Sequence, residues 1–134
     1  MPKPLGRATR CTTGVNRLRR VDRWIASLPA VRRDEALVVD LGFGASATTT
    51  LELHERLVRV NPSVEVVGFE IDPERVALAR EELGAAKESG RPRHGRAVAA
   101  GILSGSASVR FERGGFEIPT GKPVSVIRAM NVLR

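Results

Sequence analysis

Residues 36–46 have the sequence Ala-Leu-Val-Val-Asp-Leu-Gly-Phe-Gly-Ala-Ser, and this stretch indicates the architecture of the chain. It begins with a short apolar run, which is typical of a strand buried on both faces of a parallel sheet. The run ends in a Gly-x-Gly turn at Gly42 and Gly44, and residues 46–60 follow with the apolar spacing of a helix. Such a turn brings backbone N–H groups close to a ligand without Cβ collisions.

The segments on either side of this motif alternate between strand and helix patterns. The further predicted elements are a helix over 15–28, a buried strand over 64–69, a helix over 72–84, a polar loop over 84–95, a helical turn over 98–103 and strands over 108–111 and 124–127. The helix at 72 has a good start, because Asp72 can cap it and Pro73 suits its first turn. We therefore predict an α/β fold with a mostly parallel sheet, whose connections suit right-handed crossovers.

Length and composition place the chain among single-domain globular proteins. It has 134 residues, of which 42% are hydrophobic and 28% are charged. No apolar stretch reaches the roughly 18 residues that a membrane span needs, and the N-terminus lacks the apolar run of a secretory signal. The single cysteine, Cys11, has no internal partner for a disulfide. We expect a cytoplasmic protein, with a basic arm and helix over 1–33 and a Rossmann-like domain over 34–134.

The net charge of +7 is concentrated near the N-terminus. Residues 1–33 contain nine Lys or Arg and one acid, whereas the remainder of the chain is close to neutral. One interpretation is a surface for an anionic partner such as RNA. The other is a solvated arginine-rich helix, typical of a GC-rich bacterial genome, and it is favoured because no aromatic residues alternate with the charges as base stacking would require. Trp24 is predicted to be a packing anchor.

Two carboxylates follow the predicted strands at positions where they could meet a ligand. Asp40 precedes the Gly-x-Gly turn, and Glu70 falls at the carboxyl end of the second strand. A carboxylate at the latter position can accept hydrogen bonds from both ribose hydroxyls of a nucleoside. His54 and His94 have no Cys, Asp or His at metal-ligand spacing, so we predict no metal site.

These motifs resemble those of the class I S-adenosylmethionine-dependent methyltransferases, whose first motif is an apolar strand followed by an acid, one residue and Gly-x-Gly. The resemblance extends with its motifs from about residue 37 to residue 83. It implies that S-adenosylmethionine is the cofactor and that the chain transfers its methyl group to an unknown acceptor. The cofactor-binding residues that it implies are Asp40, Gly42, Phe43, Gly44, Glu70, Ile71 and Phe116.

The resemblance weakens after the third strand. Many relatives have an acid there that reads the adenine amino group, and this chain has Phe116 instead, which could stack on adenine. After the fourth strand, Asn131 could orient an acceptor and Arg128 could face an anionic one. No general base is identified.

Two other functions stay open. Gly42-x-Gly44-x-x-Ala47 also satisfies the fingerprint of an NAD(P)-binding Rossmann domain of an oxidoreductase. Asp40 disfavours this alternative, because a carboxylate about 4 Å from a pyrophosphate charge would repel it by about 4 kcal/mol at an effective dielectric constant near 20. S-adenosylmethionine carries an ammonium and a sulfonium, which a carboxylate favours. The third function is a non-catalytic nucleoside-binding or interaction module.

The number of predicted strands suggests a partial domain. The family's sheet has seven strands, and about four are predicted here. The resemblance therefore implies a Rossmann-like, doubly wound and mostly parallel sheet with strand order 3-2-1-4, which is the N-terminal, cofactor-binding half of the domain, truncated after its fourth strand. The run at 124–127 resembles a strand with neighbours on both sides. Because an unpaired apolar edge tends to pair with another copy, we expect self-association and no methyl transfer by this chain alone.

Overall fold

A computed structural model of the chain describes residues 3–6, 14–89 and 108–130. In chain order the elements are helix α1 (Arg19–Ala26), a 3-10 helix (Pro29–Arg32), strand β1 (Leu37–Leu41), helix α2 (Thr48–Val58), strand β2 (Glu65–Glu70), helix α3 (Pro73–Ser89), strand β3 (Ser108–Arg113) and strand β4 (Val126–Arg128). The predicted helical turn at 98–103 lies outside the described residues, as do Cys11, His94 and Asn131.

The four strands form one parallel sheet with the order β3-β2-β1-β4. Val39 of β1 lies opposite Val67 of β2 on one side and Ile127 of β4 on the other. The prediction of a Rossmann-like α/β fold with this strand order is therefore confirmed. The point where the winding direction changes lies between β1 and β4, next to the Gly-x-Gly turn. In sheets of this kind, ligands bind outside the carboxyl ends of the strands near that point.

One face of the sheet is covered by the three α-helices. Val38, Val66 and Phe111 of the strands pack in one buried cluster with side chains of all three helices, among them Ile25 and Leu51. Every residue of α2 from Thr48 to Glu55 is buried, because this helix packs on α1 as well as on the sheet. The three helices and the strands on which they pack thus form the main core of the described chain.

The opposite face has no helix among the described residues. Its apolar side chains are Leu37, Val39, Leu41, Val67 and Phe69. The irregular segment 114–125 crosses this face on its way from β3 to β4 and covers it with Ile118 and Val124. Val124 was predicted within the fourth strand, but it serves as part of this covering segment instead. β4 consequently begins two residues later than predicted.

The fourth strand also differs from the prediction in burial. Ile127 is 47% exposed, whereas Arg128 is buried. The expectation of an apolar run enclosed on both faces is therefore wrong, because the register that pairs Asp40 with Arg128 turns Ile127 outward. β4 pairs with β1 and with no other described strand, so it is an edge strand. Self-association through this edge stays a prediction.

Two helix boundaries differ from those predicted by more than two residues. α1 begins at Arg19 rather than near residue 15, because Asn16 has a φ of 61°, which an α-helix cannot include. α3 continues through Gly84 to Ser89, so residues 84–89 are not the predicted loop. A glycine costs about 1 kcal/mol inside a helix, and the surrounding Glu and Ala residues are strong enough helix formers to outweigh that cost. None of the described helices is long and apolar enough to cross a membrane.

Candidate functional site

A small pocket lies at the carboxyl ends of β1, β2 and β3, where the fold predicts a ligand. Its volume is about 20 Å³, which is room for one or two water molecules. The residues that line it are Leu41 and Gly42 at the end of β1, Glu70 and Ile71 at the end of β2, Gly114, Gly115 and Phe116 after β3, and Leu5 and Gly6 near the N-terminus. Four of the predicted cofactor-binding residues, Gly42, Glu70, Ile71 and Phe116, thus line one pocket.

The turn after β1 requires both of its glycines. Gly42 has a φ of 70° and Gly44 a φ of 94°, a region that residues with a Cβ rarely adopt. The backbone N–H of Gly42 donates to the carbonyl of Phe69 at 2.7 Å, which ties the turn to β2. Phe43, between the glycines, is fully buried and packs edge-to-face on Phe111, with 5.1 Å between ring centroids. Phe43 is therefore a core residue, and its predicted place in the cofactor site is wrong.

Glu70 is the acidic side chain of the pocket. Its carboxylate is 1% exposed, and Oε2 accepts a hydrogen bond from the backbone N–H of Asp72 at 3.1 Å. Oε1 lies 3.5 Å from a guanidinium nitrogen of Arg75. A carboxylate offers about four lone-pair positions, and the described residues use two of them on Glu70.

Asp40 has a different role from the one predicted. Its carboxylate is buried on the helix-covered face of the sheet, and Oδ2 accepts hydrogen bonds from the hydroxyls of Thr49 and Thr50 at 3.1 and 2.8 Å. Arg128 of the neighbouring strand donates to both oxygens, Nε at 3.2 Å and Nη2 at 2.8 Å. The carboxylate is therefore neutralised inside the core, and the prediction that it contacts the cofactor is wrong.

Arg128 is likewise not available to a substrate. Besides Asp40, its guanidinium donates to Asp22 of α1 and to the carbonyl of Thr49 at 3.0 Å. Its side chain is 1% exposed. Burial opposes the charge, but Asp40 and Asp22 raise the pKa of the guanidinium above its ordinary value. The predicted role for Arg128 opposite an anionic acceptor is corrected, and this residue instead joins α1, α2, β1 and β4.

Asp22 is a residue that sequence reasoning missed. It is fully buried, and Arg56 of α2 donates to its second oxygen at 2.6 Å. Burial raises the pKa of Asp22 above its ordinary value, against the attraction of Arg128 and Arg56. The only available signal was its isolation as the single acid of a basic segment.

A carboxylate from another helix lies at the N-terminal end of α2. The carboxylate of Glu82, from α3, accepts from the backbone N–H of Ala47 at 3.3 Å and from the hydroxyl of Ser46 at 3.4 Å. Ser46 in turn accepts from the N–H of Thr48 at 3.1 Å. The positive end of a helix is where Rossmann domains hold a pyrophosphate. In this chain a carboxylate takes that position.

Residues 3–6, which we call the arm, cover one side of the pocket. The carbonyl of Leu5 accepts from the N–H of Phe116 at 2.8 Å, and the N–H of Leu5 donates to Oε1 of Glu117 at 2.9 Å. A Cβ on Gly115 would overlap the Leu5 carbonyl, and Gly6, with a φ of 122°, lies against the Phe116 ring. Two glycines, one on each side, make the close approach of the arm possible.

Glu117 anchors this arm. Its Oε1 also accepts from the N–H of Gly115 at 2.9 Å. Slight burial acts against the charge, but hydrogen bonds from the backbone N–H groups of Leu5, Glu117 and Gly115 lower the pKa of this carboxyl below its ordinary value. Glu117 does not line the pocket, so it holds the arm without taking part in the site itself.

The remaining candidates fall outside the pocket. His54 is fully buried in α2, and neither ring nitrogen has a hydrogen-bond partner among the described residues. No group of three or more His, Cys, Asp or Glu side chains in the described ranges is arranged to hold a metal ion.

The functional interpretation rests on the geometry of the site. Its elements are the edge of the sheet at the switch point, a glycine turn and a buried acid. That acid is Glu70, the one carboxylate among the described residues that line the pocket. No family model matches the chain, and no curated protein or solved structure matches it significantly.

Proposed function

We propose that this chain carries the cofactor-binding site of an S-adenosylmethionine-dependent methyltransferase. The observation that carries the proposal is the position of Glu70, a buried carboxylate at the carboxyl end of β2 that lines one pocket with Gly42 and Phe116. A carboxylate with unused acceptor positions suits the two hydroxyls of a ribose. The buried acid of the pocket therefore suits the nucleoside part of the cofactor.

The other pocket residues fit the same ligand. Phe116 is 60% exposed at the rim, where its ring offers a stacking surface for a planar base. The positive φ angles of Gly42 and Gly44 favour glycine at both positions, and because glycine has no Cβ, neither residue places a side chain beside the ligand. A ligand that spans the two strands would then place its base near Phe116, its ribose at Glu70 and its remaining part over the glycine turn.

The carboxylate of Glu82 disfavours the NAD(P) alternative. Asp40 no longer distinguishes the two ligands, because Arg128 neutralises it. Glu82, however, occupies the N-terminal end of α2, where a dinucleotide would need its pyrophosphate. Two anions at one helix end repel each other, at a cost of about 4 kcal/mol for 4 Å and an effective dielectric constant near 20. A ligand without phosphate avoids this repulsion.

The chemistry of the proposed reaction asks little of the protein. A bound S-adenosylmethionine supplies an activated methyl group on its sulfonium. The chain's own part is to hold the nucleoside through Glu70 and Phe116, to keep the glycine turn clear and to exclude water. No described residue is placed to act as a general base for an acceptor, and Asn131 lies outside the described residues. A chain that binds the nucleoside without transferring a methyl group would be the non-catalytic module.

We expect Glu70→Ala to weaken the binding of S-adenosylhomocysteine by about 10- to 150-fold, since hydrogen bonds to a charged group contribute about 1.5–3 kcal/mol. Isothermal titration calorimetry measures this change. The matched control is Glu81→Ala, which removes an exposed carboxylate of α3 and should leave the affinity unchanged. NADP should not bind the wild-type chain. Equal affinities for wild type and Glu70→Ala would contradict the ribose assignment.

A nucleoside can enter only when the arm moves, because ligand pockets of about 300–1,000 Å³ are the norm and this one has about 20 Å³. We expect deletion of residues 2–6 to strengthen S-adenosylhomocysteine binding by about 5- to 150-fold, since the two hydrogen bonds of the Leu5 backbone that hold the arm contribute about 0.5–1.5 kcal/mol each. Calorimetry again provides the affinity.

A second variant releases the arm by another route. Glu117→Ala removes the acceptor of the Leu5 N–H but changes no residue that lines the pocket. It should strengthen binding in the same direction as the deletion. Weaker binding in both variants would mean that the arm forms a wall of the site rather than a cover over it.

A further inference from the structure

The outer surface of α1 has a composition that the pocket does not explain. Arg20, Arg23 and Trp24 are all exposed, and Trp24, which was predicted to be a packing anchor, is 63% exposed. Positions three and four apart are neighbours on a helix surface, so Arg20 lies next to Trp24 on one side and next to Arg23 on the other. Arg17 and Arg19 extend the positive charge around the start of the helix. We call these five residues the α1 surface.

The charge of the α1 surface is not compensated locally. None of its four arginines forms an ion pair with a described residue. Asp22 within α1 and Glu52 of α2, the helix that packs on α1, are both buried and are paired with Arg56 and Arg128. The acids thus serve the interior, and the arginines remain on the surface facing solvent.

We propose that the α1 surface binds single-stranded RNA. Its arginines would contact phosphates, and Trp24 would stack on a base, which is the combination that single-strand binding uses. RNA presents unstacked bases in loops and ends, whereas a DNA duplex hides the faces of its bases. A membrane fits less well, because the apolar stripe of α1 is turned inward through Ile25 and leaves Trp24 as the one large apolar side chain among these five residues.

Trp24 provides the direct readout, because it is the only tryptophan and the chain has no tyrosine. We expect a 20-nucleotide oligo(A) RNA to quench the intrinsic fluorescence of the full chain at 50 mM salt. Heparin, a polyanion without bases, should bind without that quenching. Binding should weaken steeply as salt is raised, because counterions are released from the phosphates.

Two variants separate stacking from charge. Trp24→Ala should weaken RNA binding about tenfold at constant salt and leave the salt dependence unchanged, as expected for one stacked base. The double variant Arg20→Gln, Arg23→Gln should lower the slope of log K against log salt by about 1.4, since each phosphate contact on a single strand contributes about 0.7. Labelled RNA and fluorescence anisotropy measure both effects. Arg59→Gln is the matched control, because Arg59 is 61% exposed on α2 and lies outside the α1 surface.

Four outcomes would overturn the proposal. They are no RNA binding at 50 mM salt, binding that Trp24→Ala does not affect, a preference for duplex DNA over the RNA, and a blue shift of Trp24 fluorescence with anionic phosphatidylserine vesicles in the absence of RNA binding. The α1 surface is separate from the pocket at the carboxyl ends of the strands, so none of these results depends on whether S-adenosylhomocysteine binds. All variants are at exposed positions and should keep the melting temperature of the wild type.

Discussion

Replacing Arg128 with alanine is expected to lower the free energy of unfolding by about 3–5 kcal/mol, the range for buried ion pairs that lose one partner. The guanidinium satisfies Asp40 with two hydrogen bonds and Asp22 with one, and all three side chains are buried. Its removal leaves two carboxylates in the core with too few donors. Because a whole domain has only about 5–15 kcal/mol of stability, chemical denaturation should show a largely unfolded or barely stable variant.

The pH dependence of Arg128→Ala shows whether the buried carboxylates cause its loss of stability. Burial already raises the pKa of Asp22 while Arg128 lowers it, so the loss of Arg128 must raise that pKa further. A carboxyl whose folded pKa is above its unfolded value stabilises the fold at low pH and loses that contribution as pH rises. The deficit of Arg128→Ala should therefore be smaller at pH 5 than at pH 8.

Arg59→Ala serves as the control for Arg128→Ala. Arg59 is 61% exposed and pairs with Glu55 one helical turn away, so its loss should cost about 0.3–0.5 kcal/mol. Equal effects of the two substitutions would show that the buried network does not stabilise the fold. A deficit of Arg128→Ala that grows as the pH falls would contradict the role given to Asp22.

His54 should make the protein sensitive to mild acid. Burial lowers the pKa of its imidazole from 6.5 to about 4, so the folded state keeps it neutral while the unfolded chain binds a proton below about pH 6.5. The folded pKa is depressed, so stability is lost as the pH falls from about 6.5 towards 4. The expected loss across this window is about 3 kcal/mol, from about 1.4 kcal/mol per pKa unit.

Two substitutions of His54 separate its proton from its polarity. His54→Gln keeps a polar side chain but cannot titrate, so it should remove this part of the pH dependence. His54→Leu should remove it as well and raise stability at pH 7, because two buried nitrogens without described partners are replaced by apolar atoms. Urea unfolding between pH 4 and pH 7 provides the comparison. An unchanged slope in His54→Gln would show that other groups dominate the acid response.

The local sequence pattern was enough to predict the positions of β1 and β2 and the acid of the pocket. The first two strands were predicted within one residue of β1 and β2, because a buried parallel strand is written as an apolar run wherever it occurs. Glu70 and Gly42 were placed in a common pocket because the carboxyl ends of parallel strands meet at one edge of the sheet. These inferences use only the spacing of residues along a short segment.

The motif residues that failed did so because of partners far away in the sequence. Asp40 and Arg128 are 88 positions apart, and Asp22 and Arg128 are 106 positions apart. No local pattern records such a pairing, so a buried ion network looked like one cofactor ligand, one substrate contact and one acid of a solvated helix. Phe43 failed for a related reason, because its contact with Phe111 forms only when β3 joins the sheet.

The amino-acid sequence alone specified the parallel strands, the glycine turn and the acid at the end of β2, since periodicity and turn chemistry are properties of neighbouring residues. The order of the strands came from the resemblance of these motifs to a known family. Tertiary structure alone revealed which charges are buried together, that the arm covers the pocket, that Glu82 lies at the end of α2 and that Trp24 is exposed. Charge pairing and burial depend on which distant segments pack against a side chain, and a linear pattern does not contain that information until the chain has folded.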